Sequence, residues 1–294
     1  GTAGPYCMAV SGDNVYIGGF FNTVGSVSAN NVARWNGTTW SAMGTGANDA
    51  VYAMACIGST VYAGGFFSTI GGVAAQRIGQ WNGSAWSAVG AGVNNSVRAM
   101  AASGSNLYIG GYFNTGDGSP GNYAARWNGS AWSALGTGLN GIINALVVNG
   151  SNVYVGGSFT TAGGGAANRV ALWNGSTWSA LGTGVNGTVD HLAVVGSNLY
   201  AVGGFTTAGG SPAAGFARWN GSAWSTMSTN TTQPSCLTVN GTDLYAGVVT
   251  AGGQAANYFA RWDGSAWSIP GGRGLNAAVN ALAISGTDVY ASGY

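Results

Sequence analysis

The sequence predicts an all-β chain made of repeated four-stranded units. Three observations carry this. A Trp-Asn-Gly-x-x-Trp motif recurs along the chain, glycine (55 residues) and other turn formers dominate the composition, and lysine and glutamate are both absent. A fixed period of several tens of residues is the mark of a repeat architecture. Strong helix formers are missing, while the Val, Thr, Tyr and Trp that remain suit strands.

The motif stands at Trp35–Trp40, Trp81–Trp86, Trp127–Trp132, Trp173–Trp178 and Trp219–Trp224, and returns at Trp262–Trp267 with Asp263 in place of Asn. These six copies hold all twelve tryptophans. A second signature, Val-Tyr or Leu-Tyr, occurs at Tyr16, Tyr62, Tyr108, Tyr154, Tyr200, Tyr245 and Tyr290. The repeats run approximately over 5–50, 51–96, 97–142, 143–188, 189–233 and 234–278, with a half-repeat at 279–294.

The second repeat serves as the template. Its first strand is expected at Val51–Ile57, followed by a turn at Gly58-Ser59-Thr60 and a second strand at Val61–Phe67. A Gly-rich loop through Gly71-Gly72 leads to a third strand at about Arg77–Trp81. The Asn82-Gly83 turn then opens a fourth strand at about Ala85–Val89. Asn-Gly tolerates positive φ and favours a tight hairpin, which makes the flanking tryptophans a cross-strand pair. The Gly-Gly closing the second strand (Gly18-Gly19, Gly64-Gly65, Gly110-Gly111, Gly156-Gly157) suits close backbone approach.

Along the first strands, a large column (Met8, Met54, Met100, Leu146, Leu192, Leu237, Leu282) adjoins a mostly small one (Cys7, Ala53, Ala99, Ala145, His191, Cys236, Ala281). Large faces meeting small ones are what sheets stacked face to face require. The expected architecture is one β-propeller over 1–294, with six to seven four-stranded blades and seven favoured; a β-solenoid is the alternative. The pattern drifts in two places. The fifth repeat reads Ala201-Val202-Gly203-Gly204, and Met227–Pro234 lacks the Leu-Gly-x-Gly seen at Leu135–Gly138 and Leu181–Gly184.

A second strand ending in Gly-Gly, an aromatic in the third strand, a turn and a Trp in the fourth together resemble the kelch repeat over residues 5–294. The first Trp of each pair stands where kelch repeats usually carry Tyr, so the likeness is to a divergent branch, as in secreted microbial repeat proteins. The resemblance implies a propeller of six or seven blades and, for many members, a binding scaffold.

Composition narrows the functional classes. Net charge is +1 and charged residues are 5%, so there is no basic footprint for nucleic acid. No run of about 18 apolar residues marks a membrane span. His191, the only histidine, sits in the small column level with Cys7 and Cys236, with Asp190 beside it; no nucleophile or second ligand adjoins it, so no catalytic residue, metal or cofactor is expected. Cys56 reads as a small core residue, and a Cys7–Cys236 disulfide depends on the blade count. Asp13, Asp243 and Asp288 read as turn residues rather than calcium ligands. Arg34, Arg126, Arg218 and Arg261, each before the first Trp, could stack on aromatics.

Asn-x-Ser/Thr occurs at Asn36, Asn82, Asn94, Asn128, Asn149, Asn174, Asn186, Asn220, Asn230 and Asn240. In a secreted protein these are candidate glycan acceptors. The half-repeat leaves a candidate assembly edge at Val289, Tyr290, Ala291, Ser292, Gly293 and Tyr294. The functional expectation is a non-enzymatic, extracellular or cell-surface structural glycoprotein that self-associates, as filaments or a sheath, through its incomplete last blade. The alternative is a monomeric propeller that binds carbohydrate or protein.

Overall fold

The computed structural model describes residues 4–116, 119–227, 229–272 and 274–293. The chain divides into two compact units, 1–138 and 139–294.

The first unit holds three four-stranded antiparallel sheets, each joined in sequence order. The second sheet is typical: Val51–Ile57, Thr60–Gly65, Ile78–Trp81 and Trp86–Ala88. The first strands of adjacent blades lie next to one another. Ser11 Oγ ties the end of one to the Gly58 carbonyl of the next at 2.8 Å.

The large-on-small packing expected from the two columns is present and specific. Gly64 lies so close to the third blade that a Cβ there would sit 2.7 Å from both Met100 Cε and Val97 Cγ1. Met100 and Val97 are themselves buried. The glycine is therefore the socket into which the neighbouring first strand inserts.

Trp81 and Trp86 pair across strands, with ring centroids 5.5 Å apart at 53°, a tilted geometry worth about 0.5–1.5 kcal/mol beyond burial. None of the twelve tryptophans is exposed. The outer indoles also tie blade to blade: Trp86 Nε1 donates to the Met43 carbonyl (2.8 Å) and Trp132 Nε1 to that of Val89 (3.1 Å).

Two expected turns differ. The Trp motif is closed by four residues, Asn82–Ala85, so the expected tight Asn82-Gly83 turn is wider and the fourth strand starts at Trp86 rather than at about Ala85. Only Gly83 takes positive φ (105°), and the Asn82 side chain organises the loop by accepting from Ser84 N and Ala85 N. The Gly-rich loop after the second strand is itself a small hairpin, Thr69–Ile70 with Val73–Ala74. Gly71 and Gly72 both have positive φ (61° and 78°), which is the twist-matched two-residue turn.

A second clamp lies in the interblade loops. Asn48 Oδ1 accepts from Ser68 N and Thr69 N, and its Nδ2 donates to Ser68 Oγ at 3.0 Å. Asn94 repeats this on Asn114 and Thr115.

The second unit holds three further four-stranded sheets, over 143–180, 191–226 and 237–268, and a terminal hairpin, Val279–Ser285 with Asp288–Gly293. Its frame uses the same devices. Val189 Cγ1 and Leu192 Cδ1 close on Gly156, Trp224 Nε1 donates to Leu181 O at 2.8 Å, and Asn140 and Asn186 clamp Thr160 and Thr206. Six four-stranded blades are thus present among the described residues. The seventh repeat supplies two strands only, so the favoured seven-blade expectation is not supported.

Candidate interaction surface

The first strand of four of the six blades begins with a register shift. Where pairing jumps from Pro5 to Cys7, Val51 to Ala53, Val97 to Ala99 and Ile143 to Ala145, one residue is left unpaired. A bulge of this kind re-aims a side chain. The skipped residues are Tyr6, Tyr52, Arg98 and Asn144.

In the first unit they build a ladder. Tyr6 and Tyr52 stack with centroids 5.8 Å apart at 27°. The Arg98 guanidinium lies 4.5 Å from the Tyr52 ring centre and 5.0 Å from that of Tyr112. Tyr112 is 39% exposed and immediately follows the Gly-Gly of its blade; Phe20 and Phe66, in the same position of the other two blades, are each 45% exposed. The next residue in two of these blades, Phe67 or Phe113, is fully buried. One ring of each pair fills the core and the other faces solvent. Arg77, with φ at 67°, covers the Phe66 ring and donates to the Phe66 and Phe67 carbonyls.

In the second unit the same positions are polar or small. Asn144 Nδ2 donates to Asp190 Oδ1 at 3.2 Å. Ser158 and Gly204 stand where the first unit has Phe66 and Tyr112.

A cleft of about 400 Å³ opens in the second unit, bordered by Thr226, Met227, Gln254, Trp262 and Trp267 among others. It lies where Leu-Gly-x-Gly has been lost. At an intact junction Gly182 covers the tryptophans, so closely that a Cβ there would sit 3.2 Å from Trp219 Cζ3.

The candidate glycan acceptors sort by geometry. Asn36, Asn82, Asn128, Asn174 and Asn220 are exposed, and among the described residues each uses only Oδ1, as acceptor for the following loop. Asp263 does the same job in the sixth copy, and the N–H groups of Ala266 and Ser265 pull its pKa down to about 2. By contrast, the Nδ2 of Asn94, Asn149, Asn186 and Asn240 donates within the protein, to Asn114, Gly196, Thr206 and Gly286. Asn230 takes a left-handed φ of 52° and its carbonyl accepts from Gly253 N.

Of the assembly edge, Val289–Gly293 pairs on one side with Val279–Ile284; Tyr294 lies outside the described residues. His191 is opposite Val202. Burial lowers its pKa, and the charge of Asp190 acts in the other direction. All three cysteines are free thiols, and burial raises the pKa of Cys56 and Cys236 to about 11. Arg34, Arg126 and Arg218 lie cross-strand from Tyr16, Tyr108 and Tyr200. The cations over rings are instead Arg77 and Arg98. Asp243 does more than shape a turn, since it pairs with Arg261 Nε at 2.7 Å.

The ladder was legible only in part. The column before the small one (Tyr6, Tyr52, Arg98, Asn144, Asp190) varies while its neighbours repeat, and that variation is a signal. The bulge that turns it outward is not visible in residue types.

Sheets of this order and number define a β-propeller. Solved structures agree with the fold. The chain is similar to the WD40 β-propeller domain of Doa1 (13% identity, 98% of this chain and 89% of that one, TM-score 0.63). It is similar also to the computationally designed protein Ika8 (14%, 99% and 93%, TM-score 0.58). A third likeness is to the extracellular domain of BT4673, described as a hybrid two-component system, from B. thetaiotaomicron (15%, 95% and 35%, TM-score 0.60). The family model for the Rax2 C-terminal beta propeller domain matches residues 123–288, more than half of the chain, and the chain belongs to that family. These matches meet the expectation of a propeller repeat family; they lend no support to a kelch-like subtype. No curated protein matches.

Proposed function

We propose that this chain is a non-enzymatic, extracellular interaction module that recognises a protein partner through the aromatic face of its first unit. The observation that carries this reading is the run Tyr6–Tyr52–Arg98–Tyr112, half-buried at its two first tyrosines and exposed at Arg98 and Tyr112, with Phe66 exposed at the position equivalent to Tyr112 in the neighbouring blade. Aromatic and arginine side chains are enriched at the energetic centres of protein interfaces. Exposed rings that serve no core are unusual when they recur at one position of successive blades. The extracellular placement draws support from the repeated sequons and from the extracellular propeller among the similar structures.

A photo-crosslinking residue placed at Phe66 tests this in native material, with Asn128 as the control position. Partner adducts at Phe66 and not at Asn128 are expected. Equal labelling at both positions, or none at either, would overturn the reading.

A second reading is self-association through Asp288–Gly293. Among the described residues this strand has a partner on one side only, whereas the second strand of every four-stranded blade has two. An open edge of this kind accepts an added strand. Ala291→Lys, at an exposed position of that edge, should then dissolve assemblies seen by electron microscopy. A native chain that stays monomeric at high concentration removes this reading. For the carbohydrate alternative, the Trp262–Trp267 cleft offers indoles, hydroxyls and an amide. Quenching of tryptophan fluorescence by added neutral oligosaccharide is its test.

A further inference from the structure

We propose, resting on the interaction reading above, that the ladder takes an acidic peptide segment, with the Arg98 guanidinium gripping a side-chain carboxylate. Arg98 is exposed, and its side chain donates no hydrogen bond and forms no ion pair within the described protein. The carboxylate nearest in sequence to Tyr52, that of Asp49, is turned to its own loop, where it accepts from Ala50 N at 2.7 Å. An arginine offers five N–H donors in a planar fork that matches a carboxylate. Here the Tyr52 and Tyr112 rings, 4.5 and 5.0 Å from the guanidinium carbon, restrain the side chain, so less freedom is lost when it binds.

The same stacking argues against a sugar on the Tyr52 ring. A sugar needs an open ring face, and the faces of Tyr52 are taken by Tyr6 and Arg98. What remains on offer is the set of Arg98 N–H donors, and the exposed rings of Phe66 and Tyr112 for an apolar residue beside the acid. The chain has no lysine, so unpaired arginine is its means of attracting an anion, and here that arginine stands on an aromatic platform.

The test is fluorescence anisotropy of the full chain with a labelled peptide alternating Glu and Leu, against its Gln-for-Glu counterpart. An exposed ion pair is worth up to about 1 kcal/mol, or about fivefold in affinity. The acidic peptide should therefore bind about fivefold tighter than the Gln peptide, and more weakly as salt rises. Arg98→Ala should remove that preference, Arg98→Lys should restore part of it, and Arg261→Ala in the second unit should leave it intact. Near-ultraviolet circular dichroism of the variants checks that the fold is kept.

Equal binding of the two peptides, or an Arg98→Ala variant that binds like the parent, overturns the proposal. So does displacement of the peptide by oligogalacturonate or inorganic phosphate at lower concentration, which would assign the site to another anion. If the acidic peptide fails while crosslinking at Phe66 still marks a partner, the acidic class falls and the interaction reading stands. If both fail, both fall.

Discussion

The two units share a frame and differ in what they present at one position. Each blade from the first to the fourth turns one residue out of its first strand by a bulge. In the first unit those residues are Tyr6, Tyr52 and Arg98; the fourth blade, in the second unit, has Asn144, bonded to Asp190. The residue after Gly-Gly changes in parallel, from Phe66 and Tyr112 to Ser158. Glycine sockets, tryptophan pairs and asparagine clamps are common to both. Repetition therefore specifies the scaffold, and variation at two columns specifies the surface.

The largest effect should come from breaking the shared frame. Trp86→Ala and Trp224→Ala each remove a ring, a cross-strand partner and a tie to the preceding blade. Each should cost about 3–5 kcal/mol in urea unfolding. A large difference between the two would mean that the frames are not equivalent. Next, Gly64→Val drives a side chain into Val97 and Met100 and should cost about 1–3 kcal/mol or more. Gly156→Val, facing Val189 and Leu192, should match it.

A smaller effect sets the units apart by pH. His191 occupies a column that is Ala in four other copies. Burial holds its folded-state pKa below the ordinary value of 6.5. Below about pH 6.5 the unfolded chain takes up a proton that the folded chain resists, so stability falls as pH drops through that window. In His191→Ala this loss between pH 7.5 and 5 should disappear, as read by thermal unfolding at the two pH values. An unchanged slope would place the loss elsewhere.

The smallest effect should be on the surface itself. Arg98→Ala should shift stability by under about 1 kcal/mol, because exposed positions contribute little, and Tyr52→Ala, at a half-buried stacked position, by about 1 kcal/mol. A cost of several kcal/mol would make the ladder a structural element rather than a recognition surface.

Much of the frame was readable because it depends on local, repeated chemistry. Trp81 and Trp86 pair across their turn as expected, whereas of the glycines read as sites of close backbone approach Gly65 meets the Ala50 carbonyl and Gly64 meets the side chains of Val97 and Met100. The turn itself was misread. Asn82-Gly83 suggested a tight hairpin with both residues able to take positive φ, yet the Asn82 side-chain carbonyl oxygen organises a loop of four residues in which only Gly83 does so. The sequon pattern grouped ten asparagines that the fold separates. Asn82 and its four equivalents use only an acceptor, while Asn94 and Asn186 spend their amide N–H groups as clamps between loops about 20 residues apart in sequence.

By itself, then, the sequence determined the repeat, its four short strands, the tryptophan pairs and the alternation of large and small faces. These follow from side-chain period and turn propensity, which act within a few residues. Tertiary structure alone decided which residues leave the sheet. A bulge is a register shift between two strands, and its outcome at Arg98 depends on Tyr52 in one neighbouring blade and on Tyr112 across its own. No local rule links those three residues; packing of successive blades does.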